Sequence, residues 1–240
     1  MLEPKVPARL DNRQAGIFLK TSLPKILGSG PGQFCYLDND VVAVNEEVDA
    51  IFDHARSPVS FAADHCHLRQ FSRYAVRCGC TKSECDHLHA AIRRQFGVNI
   101  TDKTWQHWNG GVFVFDEAAA EFMEHWHQNT LAAFKNPYWQ ARDQGTLAAT
   151  VWELKLQNHP NLPPGFNFIV DPWLGVPRAR RNLVQAHELL PNQSYSLQGN
   201  STKPRPRFVH FINGGIGKRG LKNWDDAERL IETQPPPAAL

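Results

Sequence analysis

Two aspartates lie one residue apart in the stretch FCYLDNDVVAV, residues 34–44, where the surrounding residues are mostly apolar. Strand interiors normally exclude Asp, because burying an unpaired carboxylate is costly. We therefore place Asp38 and Asp40 at the end of a strand, where both carboxylates can reach one hard cation. Mg²⁺ and Mn²⁺ prefer oxygen ligands and often share them with a substrate diphosphate. The pair predicts a divalent metal site, although an acidic turn after a strand would have the same pattern.

Two classes of enzyme place an Asp-x-Asp pair directly after an apolar strand. In nucleotide-sugar transferases the metal bridges the diphosphate leaving group, and in haloacid-dehalogenase-like phosphatases the first motif is Asp-x-Asp-x-Thr/Val. The run from Asp38 to Val42 fits both. Such phosphatases also need a Lys and a later acidic pair after a further strand, but the late pair Asp225–Asp226 is better explained as capping of a helix start. A truncated, non-catalytic relic is the third alternative.

The elements that must position these carboxylates alternate between strands and helices. Predicted strands are FCYL (34–37), VSFAA (59–63), GGVFVFD (110–116), FNFIV (166–170) and RFVHFI (207–212). Predicted helices are 13–27 with a break at Pro24, 45–52 capped by Asn45, 86–95, a stretch after Asp116, 143–156 and 223–232. The alternation favours an α/β fold with a mostly parallel sheet that binds ligands at the carboxyl ends of its strands.

Five segments resemble, in order, the motifs of GT-A-fold glycosyltransferases, especially the glycogenin-like and bacterial galactosyltransferase family. They fall within residues 20–224 and are YLDND, WNGGVFVFD, RDQGTL, LPPGFNF, and VHFINGG followed by KNW. Each motif alone is weak, whereas five in order are specific. The resemblance implies a Rossmann-like, GT-A-like fold and a metal-dependent glycosyltransferase with Mn²⁺ or Mg²⁺ as the cofactor. The donor would be a nucleotide diphosphate sugar, with a UDP-sugar expected, and the acceptor an unidentified glycan, lipid or protein.

The resemblance also implies which residues form the site. The metal ligands would be Asp38, Asp40 and His210, with Asp38 also contacting the nucleotide ribose. Asp143 and Gln144 would lie at the anomeric carbon as the catalytic pair. The other donor-binding residues would be Lys20, Asn109, Gly110, Asn167, Lys218 and Lys222, with the lysines facing phosphate. A plain helix cap for Asp143, a solvated helix face for Lys20 and a structural role for His210 remain open.

The same resemblance implies a reaction that retains anomeric configuration. Negative charge that develops on the leaving diphosphate would be met by the metal and a Lys. Nearby oxygens would stabilise the oxocarbenium character of the anomeric carbon. Gln144 is a poor nucleophile, so we expect front-face attack guided by the leaving phosphate.

A cysteine- and histidine-rich stretch, predicted as an insertion over 64–92, lies between the Asp-x-Asp and Asn-Gly-Gly motifs. Cys66, Cys78, Cys80 and Cys85 could supply four thiolates to a structural, tetrahedral Zn²⁺, and a histidine such as His87 or His65 could replace one Cys. The spacing lacks the usual Cys-x₂-Cys pair, so free or buried thiols are the alternative.

Composition sets limits on the other classes of function. The chain has 240 residues, 42% of them hydrophobic, which favours one domain over 1–232 with a disordered tail at 233–240. A net charge of +2 does not predict a nucleic-acid partner. The sequence contains no apolar run long enough to span a bilayer and no secretory signal core, so we expect a reducing cytoplasmic location and free thiols or metal ligands.

Only 37 residues precede Asp38. Since one βαβ unit alone takes about 30 residues or more, the strands that cradle the nucleoside in the resembled family have no room there. We therefore expect the Asp-x-Asp strand to have an exposed apolar edge. Such an edge predicts weak nucleotide binding, and either poor solubility or a homodimer formed through it.

Overall fold

The computed structural model describes residues 4–28, 30–140, 143–170, 206–212 and 214–232. Its strands are β1 Phe34–Leu37, β2 Val41–Ala43, β3 Val59–Ala63, β4 Trp108–Phe115, β5 Phe168–Val170 and β6 Phe208–Phe211. Its α-helices are α1 Asn12–Thr21, α2 Leu23–Leu27, α3 Ile51–His54, α4 Leu68–Ala75, α5 His87–Phe96, α6 Ala120–Phe134, α7 Gln144–Glu153 and α8 Lys222–Glu232. The tail predicted at 233–240 lies outside the described residues.

The described strands form two three-stranded sheets, in the orders β1-β4-β3 and β2-β6-β5. The α/β class is as predicted, but the parallel character of the sheet is present only in part. Within the described residues β5 pairs with β6 in parallel, whereas the pairs β1–β4, β3–β4 and β2–β6 are antiparallel. The long apolar strand β4 is the central strand of the first sheet, and its backbone pairs with both β1 and β3. All of its residues are buried.

The Asp-x-Asp turn connects the two sheets. β1 ends at Leu37 in one sheet and β2 begins at Val41 in the other, a strand that the sequence did not predict separately. Asp38 N–H donates to the Gly111 carbonyl of β4, and the Asp40 carbonyl accepts from the N–H of Phe211, the last residue of β6. The aspartates are therefore not inside a strand, because the chain leaves one sheet and enters the other between them.

Local sequence signals account for several helix boundaries. Asp11 forms a capping box with Gln14 at the start of α1. The break predicted at Pro24 lies at Ser22, and Pro24 occupies the first turn of α2. The Asn45 side chain accepts from Glu47 N–H at the start of a 3-10 turn that continues into α3. Asp225 lies in the first turn of α8, and its carboxylate accepts from the N–H of Gly220, which precedes that helix. This contact agrees with a capping role.

The predicted insertion over 64–92 contributes to the main core. Its helices α4 and α5 bury Leu68, Leu88 and Ile92 in the same apolar cluster as β4 and α6. An aromatic stack of Phe61 on Phe113, with centroids 4.6 Å apart, joins β3 to β4 at the centre of this cluster. The segment is therefore part of the scaffold that holds the strand ends.

One edge of the first sheet is formed by β1, which pairs with β4 and has no second partner among the described strands. Phe34, Cys35 and Tyr36 are half-buried, and Leu37 is 38% exposed. Among the described strands β1 is thus an edge strand, and Leu37 is its one exposed residue. None of the helices in the described ranges combines the length and apolar character that a bilayer span requires.

Candidate active site

Polar ends of several elements line one cavity of about 200 Å³. Asp38 and Asp40 come from the turn between β1 and β2, and His210 comes from β6. Asp143 and Gln144 lie at the start of α7. The lining also includes Asp64, Cys66, Asn109, Phe71 and Tyr74. Four carboxylates thus line a single cavity, and this charge favours a cation.

Asp40 and His210 lie close enough together to bind one metal ion. His210 Nε2 is 3.2 Å from Asp40 Oδ1, and the nearest ligand atoms of Asp38, Asp40 and His210 all lie within 4.8 Å of one another. Two ligands at right angles on an ion with bonds of ~2.1 Å would be about 3 Å apart. The structure therefore brings together the three residues that the sequence suggested as metal ligands.

The Asn167 side chain holds the His210 ring. Asn167 Oδ1 lies 2.9 Å from His210 Nδ1, so a neutral ring that donates its Nδ1–H there turns the lone pair of Nε2 towards Asp40. Burial raises the pKa of Asp40, but when His210 Nε2 carries a proton and donates it to the carboxylate, this hydrogen bond outweighs burial and holds that pKa below its usual value. Two acceptor atoms facing each other need a proton or a cation between them, which fits a metal site. Asn167, expected at the donor, lies behind the histidine instead.

Lys20 lies between two carboxylates. Its Nζ is 2.8 Å from Asp38 Oδ1 and 2.6 Å from Asp143 Oδ2, and the Lys20 side chain is only 6% exposed. Burial lowers the pKa of Lys20, but the two carboxylates outweigh it and raise that pKa overall. Tyr36 O–H donates to Asp38 at 2.7 Å. The solvated alternative for Lys20 is therefore wrong, and part of the charge of the aspartate pair is already compensated by the protein.

Asp143 occupies the N-cap position of α7 but makes no capping hydrogen bond with its side chain. A plain cap would use that carboxylate on the first backbone N–H groups of the helix. Here the carboxylate, which lines the cavity, instead accepts a hydrogen bond from Lys20 Nζ. The structure thus favours a site role for Asp143 over the capping alternative.

Asp64 was missed by the sequence analysis and lies at the centre of the polar network. It is 6% exposed, and its carboxylate accepts from Asn109 Nδ2 at 2.7 Å and from Gln144 Nε2 at 3.0 Å. Burial raises the pKa of Asp64, but His107, His65 and Asn109 together hold it far below its usual range. The available signal was the position of Asp64 directly after β3, which matches that of Asp38 after β1.

The two glycines of the Asn-Gly-Gly segment leave room for site side chains. The pairing register between β3 and β4 shifts beside these glycines. Phe61 pairs with Phe113, whereas the next residue, Ala62, pairs with Asn109. A Cβ on Gly110 would lie 3.0 Å from both Asp143 Oδ2 and Gln144 Oε1, and one on Gly111 would collide with the His210 ring. Gly110 N–H also donates to Gln144 Oε1.

Two residues predicted to contact phosphate do not line the cavity, and their role stays a prediction. Lys222 Nζ pairs with Asp226 at 3.3 Å on α8, and neither Lys218 nor Lys222 lines the cavity.

Cys66 differs from its predicted place. It follows β3, contacts Asp64, and does not join Cys78, Cys80 and Cys85, which cluster with His87 instead.

Comparisons with known proteins support the fold. No protein-family model matches the chain, and no curated protein matches it significantly. Among solved structures, the bifunctional glycosyltransferase WbbM is 13% identical, with a TM-score of 0.53 over 95% of this chain and 36% of that one. Mouse xyloside xylosyltransferase 1 is 13% identical, with a TM-score of 0.41 over 66% of this chain and 55% of that one.

The galactosyltransferase LgtC, solved with donor and acceptor sugar analogues, is 14% identical, with a TM-score of 0.49 over 98% of this chain and 72% of that one. The chain thus spans about a third of the length of WbbM and about half that of the xylosyltransferase. The likeness to WbbM covers nearly the whole chain. The fold of this chain is therefore similar to that of the matched part of WbbM, in agreement with the GT-A-like fold that the motifs predicted.

Proposed function

We propose that this protein is a metal-dependent glycosyltransferase that uses a nucleotide diphosphate sugar, with a UDP-sugar as the donor. The observation that carries the proposal is the convergence of Asp38, Asp40 and His210 at the turn between the two sheets. Carboxylate oxygens and a neutral imidazole are suitable ligands for Mn²⁺ or Mg²⁺. When bound, such an ion would compensate negative charge on the diphosphate leaving group.

The residues around the metal ligands would bind the transferred sugar. Asp143 and Gln144 begin α7 at the cavity, and Asn109 and Asp64 form the opposite side of the same hydrogen-bond network. A cavity of about 200 Å³ is smaller than the ~300–1,000 Å³ usual for small-molecule sites, and its size suits one sugar ring. The rest of the donor would then lie across the Asp-x-Asp turn.

Lys20 would compensate the negative charges of Asp38 and Asp143 in the free enzyme. Because its Nζ already contacts both carboxylates, a donor phosphate would have to compete with them for this cation. Gln144 carries an uncharged amide, and the site is consistent with the retaining, front-face reaction that the family resemblance implies. The acceptor would be a glycan, lipid or protein hydroxyl.

A donor screen tests the proposal. The purified chain is incubated with Mn²⁺ and each of several nucleotide sugars, and release of the nucleoside diphosphate is followed. We expect release from a UDP-sugar, loss of that release with chelator, and at least a hundredfold decrease in Asp40→Asn. The matched control is Asp49→Asn, which changes an exposed aspartate outside the cavity and should keep full activity.

Two outcomes would contradict the proposal. Hydrolysis of a simple phosphate monoester without activity on nucleotide sugars would favour the haloacid-dehalogenase-like phosphatase. Absence of both activities, with no Mn²⁺-dependent binding of UDP by calorimetry, would favour a non-catalytic relic.

A further inference from the structure

We propose that Cys78, Cys80, Cys85 and His87 form a structural zinc site, separate from the cavity and independent of the proposed transferase activity. One ligand atom from each of the four residues lies within 4.8 Å of the others. Three thiolates and one imidazole are a ligand set typical of structural Zn²⁺. Within the described residues, no other group combines three thiols with an imidazole.

The distances within the cluster suit a tetrahedral ion. Bonds of ~2.3 Å to sulfur and ~2.0 Å to nitrogen give tetrahedral edges of about 3.8 Å between sulfurs and about 3.5 Å between sulfur and nitrogen. The Cys78 and Cys85 sulfurs are 3.9 Å apart, and Cys80 Sγ is 3.3 Å from His87 Nδ1. All of these cysteines are free thiols, and 3.9 Å is far beyond a disulfide bond of ~2.05 Å.

Ser72 on α4 supports one of the ligands. Its Oγ accepts from Leu88 N–H at 2.9 Å and lies 3.1 Å from Cys85 Sγ. A Cys85 thiol donates to this oxygen, whereas a metal-bound thiolate has no hydrogen, and the Ser72 hydroxyl would then donate to it. Hydrogen bonds of this kind orient metal ligands and are part of most built metal sites.

The ion would hold a loop that has no regular secondary structure. No helix or strand is assigned between Arg77 and Asp86, and the loop is held at its ends by backbone bonds from Arg77 N–H to Tyr138 and from Cys85 N–H to Arg69. Cys78 and Cys80 lie on this loop, whereas His87 begins α5. A shared zinc would therefore tie the loop to the α4–α5 pair.

This pair of helices also borders the cavity. α4 carries Phe71 and Tyr74, which line it, and packs against α5, where His87 lies. Zinc at the cluster would hold α4 in place and thereby fix one wall of the cavity. Its role would be structural, because four protein ligands complete the tetrahedron and leave no open position for a substrate.

Metal content tests the proposal without any activity measurement. The full chain is purified from zinc-replete medium without chelator, and zinc is measured by mass spectrometry. We expect about one zinc per chain, a marked loss in Cys80→Ser, and at least a tenfold weaker zinc affinity in His87→Asn. Replacement with Co²⁺ should give the absorption bands of a tetrahedral thiolate site.

Three matched variants define which site holds the ion. Cys35→Ser and Cys66→Ser change cysteines outside the cluster, and Asp40→Asn changes the proposed manganese site. All three should keep about one zinc. If a cluster variant fails to fold, zinc removal from the wild-type chain by a chelator, followed by titration with Zn²⁺, measures the same site.

Several results would overturn the proposal. One is a zinc content below about 0.1 per chain, on the order of a contaminant, together with no Co²⁺ absorption bands. Another is full retention of zinc in Cys80→Ser. A Cys78–Cys85 disulfide in protein purified under reducing conditions would also overturn it. None of these outcomes bears on donor hydrolysis, so failure here is distinguishable from failure of the transferase proposal.

Discussion

Replacing Lys20 with Met removes a buried charge while keeping most of the side-chain volume. Lys20 is 6% exposed and compensates Asp143, which is 14% exposed, and Asp38, which is 27% exposed. Removing one partner of a buried ion pair costs about 3–5 kcal/mol, because the remaining charge is left without compensation. Water reaches part of Asp38, so we expect the lower end, about 3 kcal/mol. In a chain of this size that corresponds to a decrease in Tm of roughly 6–12 °C.

Lys25→Met is the matched control. Lys25 forms an ion pair of the same length, 2.6 Å, with Glu124, but the two side chains are 60% and 41% exposed. Exposed pairs contribute about 0–1 kcal/mol, because water screens the charges. The two variants therefore compare similar ion-pair distances in different dielectric surroundings.

Urea unfolding followed by tryptophan fluorescence measures both variants, with chelator present so that no added metal compensates Asp38. The m-values should be unchanged, so that differences in midpoint report stability. The double variant Lys20→Met/Asp143→Asn should recover part of the loss, because one orphaned charge is removed. Equal destabilisation by Lys20→Met and Lys25→Met would refute the reasoning, and a double variant no more stable than Lys20→Met would assign the loss to packing.

Three further predictions follow from other parts of the molecule. Gly111→Ala should cost about 1–3 kcal/mol in urea unfolding, because its Cβ would collide with His210, whereas Gly16→Ala, with open space around it, should be neutral or stabilising. Burial and, to a lesser extent, the nearby charge of Lys25 lower the pKa of His127 in the folded chain. At a pH between the pKa values of His127 in the folded and unfolded chains, the unfolded chain therefore binds more protons. Stability should therefore fall as pH decreases below about 6.5, and His127→Gln should make that slope shallower; an unchanged slope would exclude His127 as the cause. Concentration-dependent dimers seen by sedimentation should decrease in Leu37→Lys if the free edge of β1 mediates them, and unchanged dimers would exclude that edge.

The strand ends were predictable because their signals are local. Asp38 follows four residues of strand character, and Pro24 interrupts a helical pattern, so both features depend on neighbours within one or two turns of chain. The choice of sheet partners was not predictable in this way. Strand pairing depends on which faces can be buried together, and the sequence alone did not indicate that β2 would join β6 after leaving β1.

Contacts between side chains that are far apart in the sequence were likewise not predictable. Lys20 and Asp143 are 123 residues apart in the chain, and no spacing rule relates them. Asp64 directly follows β3, as Asp38 follows β1, but it also begins a cysteine-rich stretch whose composition indicates zinc ligands. Cys66 was grouped with the other cysteines by composition, whereas its position after β3 directs the thiol to Asp64.

The linear pattern of residues was sufficient for the α/β class and for most of the elements, although not for β2 or α4. The resemblance of the motifs to a known family identified the three residues that meet at the Asp-x-Asp turn. Periodicity, capping residues and motif order are properties of neighbouring positions, so they can be read without coordinates. Only the folded structure decided that Lys20 compensates Asp38, that Asn167 orients His210, and that His87 rather than Cys66 completes the cysteine cluster. Each of these contacts joins elements brought together by burial of a shared core, and the burial that makes them strong exists only after packing.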